Sequence, residues 1–426
     1  MNKHFGRSVS IIGVGYSPIG NVLKTPPIQN FTERELFAWA AIEAMEDAGV
    51  EAKDIDAFYV GQCGPACLAH QLSPSATFAD WIGMRNKPNI SHDEGCSTAN
   101  AGLHLAVMAV ASGMYDMVLS GGTGVNQAKF TPGYPPHLQE DHAELWAVMT
   151  GLSGDPAYVN PGCSMMTPLD AAAVSYAQKY GLTFEQINLA MSYAAIHARR
   201  HAIHNPKALY AQETYEEEAK RNGFENVLDY FSPEFNPLIG AAQRAKHTSP
   251  VSDGASALIV CPTEMARKIH KQPIEVVGMG GSSATVNQQV GLGWDAEKVA
   301  FQQAYDMAGI DDPYTQVQYM GIHDCSAQHY FTVTETGGYF RPGEGWQAII
   351  NGRTAHDGDK PVNTSGGRLA CGHPLAGAAG IELAEAVGQM RGANGARQMP
   401  VPPKTSVVQC FGAGFHVNVT VLKSLE

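Results

Sequence analysis

No run of apolar residues in this 426-residue chain reaches the roughly 20 residues that a membrane-crossing helix needs, so a helical span is excluded and a soluble protein is predicted. Basic residues are the scarce charge. Lys and Arg number 28 against 41 Asp and Glu, a net charge of -13, and they gather into no stripe or tail. A nucleic-acid surface needs such a footprint, so nucleic acid is excluded as a partner. An anionic small molecule is not excluded, because a local pocket overrides net charge. Met1 to Ser10 is polar and basic, without the apolar stretch of a signal peptide. Cysteines 63, 67, 96, 163, 261, 325, 371 and 410 are scattered through the chain, a pattern that suits free thiols in a cytoplasmic protein. Cys63 and Cys67 are spaced C-x3-C with no second pair, too little for a zinc site, and no metal is expected.

A chain of this length exceeds one hydrophobic core, and two or three packed units are expected. Ser8 to Gly15 reads as a buried strand. Thr32 to Gly49 reads as a helix, with Thr32 and Glu35 spaced as a capping box and Gly49 closing it. A strand at Ile55 to Gly61, a helix around Pro74 to Ile82, a helix at Ser97 to Ser112 and a strand at Asp116 to Gly122 continue the alternation. Strands alternating with helices predict a mostly parallel sheet covered on both faces. From Asn126 to Ala242 that rhythm breaks. Proline-rich loops, a long helical stretch from Pro168 to Arg200 and an acidic, aromatic segment from Tyr210 to Pro237 read as an insertion. Strands resume at Ser252 to Val260 and Glu275 to Met279. The expected division is residues 1–125 with 243–270, an inserted 126–242, and 271–426.

The two outer parts echo each other. Glu46-Asp47-Ala48-Gly49-Val50 before a strand is matched by Asp306-Met307-Ala308-Gly309-Ile310 before Val317 to Ile322, an offset of 260. Gly95-Cys96, opening a helix of small residues, is matched by Gly372-His373-Pro374 opening Leu375 to Met390, an offset of 277. A two-fold arrangement of the halves would bring Cys96 and His373 towards each other.

Cysteines mostly pack. Cys96 differs because a glycine hinge sets it at a helix start, where unsatisfied backbone N–H groups favour the thiolate. Pro374 suits a helix's first turn, which leaves His373 on the turn itself. Cysteine with histidine is an arrangement for covalent acyl chemistry, since imidazole accepts the thiol proton or donates to a developing oxyanion.

Five stretches, EGCSTANAGLHLAVMAVASGMYDMVLSGG, SPVSDGASALIV, GIHDCSAQHY, NTSGGRLACGHPLAGAAG and QCFGAG, resemble the thiolase superfamily over nearly the whole chain, and its sterol-carrier and archaeal types most. The resemblance implies an α/β thiolase fold, two repeated βαβαβ halves forming a five-layered α/β/α/β/α core, with a loop domain for coenzyme A contacts inserted in the first half. It implies Cys96 as the acyl-accepting nucleophile, His373 as the histidine of the GHP motif, and Cys410 as the second cysteine that moves a proton to or from the substrate α-carbon. The backbone N–H groups of Cys96 and Gly412 match the oxyanion hole, and Ser249 falls near the pantetheine arm. His323-Asp324-Cys325-Ser326 resembles the His-Asp-Cys-Phe variant, with Ser326 in place of Phe. His323 would then hold the oxyanion-hole water, and Cys325 is a second candidate acid beside the favoured Cys410.

The activity implied is cleavage of a 3-oxoacyl-CoA by coenzyme A, which is a substrate, or the reverse Claisen condensation, with homologues in fatty acid or aromatic degradation. The aromatic segment permits a bulky acyl group of the benzoylsuccinyl type, or simply packs on itself. The alternatives are a thiolase-like C-acyltransferase or aldolase, which departs from one of the two motifs intact here, and a non-catalytic subunit. Members with the His-Asp-Cys motif sometimes work with a small OB-fold and zinc-ribbon partner. In thiolases the strand matching Asp116 to Gly122 pairs across a two-fold axis, implying a homodimer or a dimer of dimers.

Overall fold

The computed structural model describes residues 6–64, 73–135, 166–283, 295–412 and 416–425. Cys67, Cys163 and most of the expected insertion before residue 166 lie outside them.

Nine strands make one hydrogen-bonded sheet in the order β3-β2-β4-β5-β1-β6-β9-β8-β7. They are β1 (Val9–Tyr16), β2 (Ala57–Gly61), β3 (Asn89–His92), β4 (Val118–Gly124), β5 (Gly254–Pro262), β6 (Ile274–Ser283), β7 (Tyr319–Gly321), β8 (Thr405–Gly412) and β9 (His416–Ser424). The first five and the last four form separate halves that meet where β1 and β6 pair over three residues. Each half has the same wiring. In the first, β2 runs parallel to β3 and β4, and β4 is antiparallel to β5, as β5 is to β1. In the second, β7 runs parallel to β8, β8 is antiparallel to β9 and β9 to β6, while a parallel bridge from Met320 to Val362 stands where β3 would be.

Six helices of fourteen or more residues are described: α1 (Glu33–Ala48), α2 (Thr98–Ala111), α3 (Met166–Tyr180), α4 (Phe184–Ala202), α5 (Asp295–Ala308) and α6 (Ala378–Arg391). The Thr32 capping box and the left-handed Gly49 bound α1 as expected, and Gly309 ends α5 with φ 66° against 68° at Gly49. Helices α2 and α6 lie between the halves, where Leu103, Val107, Leu383 and Val387 share a core with Leu258, Val276, Val408 and Leu422. Helix α1 covers the outer face of the first half, and α5 that of the second. The result is the five-layered fold that the resemblance implies.

The predicted helix from Pro168 to Arg200 is two helices. Gly181, at φ 64°, ends α3, and Thr183 opens α4 with a capping box to Gln186. Both pack on the second half, with Tyr176 and Met191 in the same core as Phe331 and Val362. The aromatic segment is spent on itself: Tyr215, Phe224, Tyr230, Phe231 and Phe235 cluster against Ala195 and Ile196 of α4. Arg199 stacks between Tyr210 and Tyr215, 3.5 and 4.3 Å from their ring centroids.

Two expectations need correction. Asp116 to Gly122 cannot pair with a second copy, because β4 is bonded to β2 on one edge and to β5 on the other. The open edge of the first half is β3, where Asn89, Ile90 and Ser91 are exposed. The repeat offset at the turns before α2 and α6 also shifts. Helices α2 and α6 begin 280 residues apart, at 98 and 378, each after a short 3-10 turn, Gly95–Ser97 and Leu375–Gly377. Gly95 and Leu375 both have positive φ, 56° and 35°, so the counterpart of Cys96 is Ala376, three residues past His373. No described helix is long and apolar enough to cross a membrane.

Candidate active site

Cys96 sits in the 3-10 turn that leads into α2 and is 1 % exposed. The Asp93 carboxylate pins that turn by accepting from the Gly95 and Gly64 backbone N–H groups, at 3.0 and 2.7 Å. Thr98 closes it, its hydroxyl donating to the Gly95 carbonyl at 2.6 Å. The turn rests on the other half of the molecule. A Cβ at Gly412, the end of β8, would stand 1.9 Å from the Glu94 carbonyl oxygen and 3.5 Å from the Cys96 nitrogen. The reverse contact exists too, since a Cβ at Gly122 on β4 would meet the Ala376 carbonyl oxygen at 2.2 Å. Only a residue without a side chain fits either place.

His373 precedes the second turn. Its backbone N–H donates to the Pro250 carbonyl at 3.1 Å, and its own carbonyl accepts from the Ser252 N–H at 3.0 Å. Ser249 belongs to the same strap and meets Nδ1 of His373 through its hydroxyl at 3.1 Å. That leaves Nε2 of His373 buried, with no hydrogen-bond partner among the described residues. Ser249 also donates its backbone N–H to the Cys325 carbonyl, tying the strap to the His323–Ser326 loop.

The His323 ring lies 5.0 Å from the His373 ring and 4.5 Å from Phe411, centroid to centroid. One donor atom from each of Cys96, His323 and His373 falls within 4.8 Å of the other two. Cys410 joins them, its thiol 3.2 Å from Nδ1 of His323 and 3.2 Å from the Cys96 carbonyl oxygen. The structure thus brings together Cys96, His323, His373 and Cys410, with Gly412 and Ser249 against them. Cys325 is buried close by, but its thiol meets Nδ1 of His329 at 3.9 Å.

Burial dominates the electrostatics of the site. It pushes His373 down to about 3, helped by the nearby Arg368 charge, and holds His323 well below its usual range, so both rings are neutral near pH 7. Burial pushes the thiols of Cys410 and Cys325 up, with Arg368 opposing it in both. Cys410 therefore keeps its proton at neutral pH.

Several supporting residues went unread in the sequence. Arg368 and Glu382 are both fully buried and form an ion pair at 3.2 Å beneath the His373 loop. Their signal was present: a lone cation between glycine and leucine in SGGRLACGHP, and two carboxylates, Glu382 and Glu385, within the apolar stretch from Ala378 to Val387. The His323 backbone N–H donates to Oε1 of Gln409, whose Nε2 donates to buried Glu297 on α5 at 2.7 Å. Nothing local in the sequence marks that relay, because its three members come from three distant elements. A groove of about 400 Å³ runs past Asn188, Ser192, Phe231 and Arg244. Ser192 is hydrogen-bonded to His247, two residues before Ser249, at 3.1 Å.

Two family models match the chain, "Thiolase, N-terminal domain" over residues 9–125 and "Thiolase C-terminal domain-like" over residues 278–424. An acetyl-CoA acetyltransferase of Methanothermobacter thermautotrophicus is 31% identical over 92% of this chain and 93% of its own length. The benzoylsuccinyl-CoA thiolase subunit BbsB of Thauera aromatica is 25% identical over 89% of this chain and 90% of its own. Among solved structures, one described as "Ltp2-ChsH2(DUF35) aldolase" superposes with a TM-score of 0.75 at 21% identity, covering 98% of each chain.

Proposed function

The chain belongs to the thiolase family and is an acyltransferase, and from that premise we propose that it cleaves a 3-oxoacyl-CoA with coenzyme A, or runs the same Claisen chemistry in reverse, through an acyl group on Cys96. One observation carries the assignment of residues: Cys96, His323 and His373 converge within 4.8 Å, with the Cys410 thiol against His323.

In the thiolytic direction the Cys96 sulfur attacks the 3-oxo carbonyl, and the backbone N–H groups of Cys96 and Gly412 receive the tetrahedral oxyanion. The bond between the α-carbon and that carbonyl then breaks. His373, with a water on His323, holds the oxygen of the departing enolate, and Cys410 gives its proton to the α-carbon. Coenzyme A takes the acyl group from Cys96, so one hard step becomes two easier ones. Ser249 suits both duties of His373, because a hydroxyl either donates to Nδ1 or accepts from it. In the first case Nε2 bears a proton for an oxyanion; in the second it offers a lone pair for the thiol proton. The groove beside Ser192 and Arg244, with Ser192 hydrogen-bonded to His247 two residues before Ser249, is assigned to the pantetheine arm, with 126–242 as the coenzyme A domain inserted within a first half of 1–125 and 243–270, and 271–426 as the second half.

The likeness to a benzoylsuccinyl-CoA thiolase subunit supports a bulky or aromatic acyl group. The aromatic segment adds nothing to that, since its rings pack on one another. A relative named as a subunit, and a neighbour whose description joins two names, support a partner protein, for which the small OB-fold and zinc-ribbon type is the candidate; a cytoplasmic location and a homodimer complete the proposal. The β3 edge is the surface assigned to self-pairing. The test is the mass of Cys96 after exposure to a panel of acyl-CoAs. An adduct equal to the acyl group is expected there, and an adduct on another cysteine overturns the reading.

A further inference from the structure

Nε2 of His373 is buried, and the Ser249 hydroxyl at 3.1 Å occupies the ring's other nitrogen. A histidine held in this way through one nitrogen, with the other presented into a pocket, is how metal-binding imidazoles are oriented. One ring nitrogen of His373 lies within 4.8 Å of a ring nitrogen of a second imidazole, His323, and of the Cys96 sulfur. Two nitrogens and a sulfur are the donors that zinc and related late divalent cations select, and all three side chains are at least nine-tenths buried. We propose that Cys96, His323 and His373 form a thiophilic cation trap that takes one Zn²⁺ and thereby closes the enzyme.

Bond lengths of about 2.0 Å to nitrogen and 2.3 Å to sulfur set tetrahedral ligands about 3.5 Å apart. The trio has therefore to close by about an ångström, a change that torsions of these side chains supply. Cys410, whose thiol is 3.2 Å from Nδ1 of His323, is not one of the three mutually close donors, and water takes the fourth position. Binding converts the Cys96 thiol to a metal-bound thiolate and releases one proton, while the histidines enter as neutral imidazoles and nothing is oxidised. The cation is an inhibitor here and no part of the catalytic cycle: it claims the lone pairs with which Cys96 would attack a carbonyl.

The probe is Co²⁺ alone, titrated into the full-length, chelator-washed protein. One equivalent per chain, with thiolate-to-cobalt charge-transfer absorption displaced by Zn²⁺, is expected. Cys96→Ala abolishes that absorption, and Ser249→Ala weakens Co²⁺ by about 10–100-fold, the usual cost of losing an outer-shell partner. On the unmodified protein, Zn²⁺ slows alkylation of Cys96 by iodoacetamide, and chelator restores it. A spectrum without the thiolate band, a band that persists in Cys96→Ala, or alkylation indifferent to Zn²⁺ overturns the proposal. Acylation of Cys96 by acyl-CoA is read separately in metal-free buffer, so the failure of either reading is distinguishable from failure of the other.

Discussion

The Cys410 thiol lies 3.2 Å from Nδ1 of His323 and 3.2 Å from the Cys96 carbonyl oxygen, while Cys325 turns its thiol to His329. Of the two candidate acids, the one on β8 is the one in contact with Cys96 and His323, and it carries its proton at neutral pH. Cys410→Ser should therefore reduce deuterium exchange at the α-carbon of acetyl-CoA by about 10²- to 10⁴-fold, the range for losing a general acid or base. Acylation of Cys96 needs no such transfer and should survive. Cys325→Ser should change exchange by less than about tenfold. The opposite pattern moves the proton donor to the His323–Ser326 loop.

Cys96→Ala should abolish covalent labelling by acyl-CoA. The substitution removes one sulfur from a buried turn already held by Asp93 and Thr98, so circular dichroism should match that of the unmodified chain. Labelling that persists transfers the nucleophile's role to another thiol.

The two shifts in the site predict opposite pH behaviour. His373 is pushed down to about 3, so it is neutral throughout pH 5–8, and acylation of Cys96 should show no limb near 6.5, the ordinary imidazole range. Cys410 is pushed up, so its deprotonated fraction grows through that range, and abstraction of an α-proton from acetyl-CoA should keep rising towards pH 9. Stopped-flow acylation and exchange measured by NMR separate the two. An exchange rate that levels off below pH 7 would contradict the assignment.

Glu297 offers a stability test. Burial pushes its carboxyl up to about 8, whereas the unfolded chain releases that proton near 4.5. The native state thus binds the extra proton between those values, and stability falls as pH rises through them. Glu297→Gln keeps an acceptor for Gln409 and removes the titration. Its stability relative to the unmodified chain should grow from pH 5 to pH 8, by up to about 1.4 kcal/mol per pH unit. Calorimetry that finds a constant difference sinks the idea.

Sedimentation should show a dimer at micromolar concentration. Ile90→Lys, a charge on the open β3 edge, should shift it towards monomer, because charged side chains oppose strand pairing. A stable monomer of the unmodified chain counts against the assembly.

What was legible in the sequence follows from what is local. Thr32, Glu35 and Gly49 bound α1 as read, because caps act through neighbours three and four residues away. The approach of Cys96 to His373 was legible for a different reason, the two-fold repeat of the halves, although the structural counterpart of Cys96 is Ala376 and not His373. What depended on neighbours across space was not. The lateral position of β4 is set by which strands flank it, and its apolar run is the same at an edge or in the middle. The break at Gly181 was masked by helix formers on both sides. The pairing of Arg368 with Glu382, and of Gln409 with Glu297, exists only once the elements of the second half have packed together.

The crossed contacts at Gly412 and Gly122 have a consequence for how a duplicated chain divides its labour. Each turn is buttressed by a strand of the other copy, so neither copy could lose its turn without unseating the other. One turn carries the sulfur of Cys96, and its counterpart carries Ala376, a methyl group. The second turn thus has no thiol but is bound to its shape. Substitutions at Ala376 should be filtered by volume and those at Cys96 by reactivity, two different selection pressures on one ancestral position.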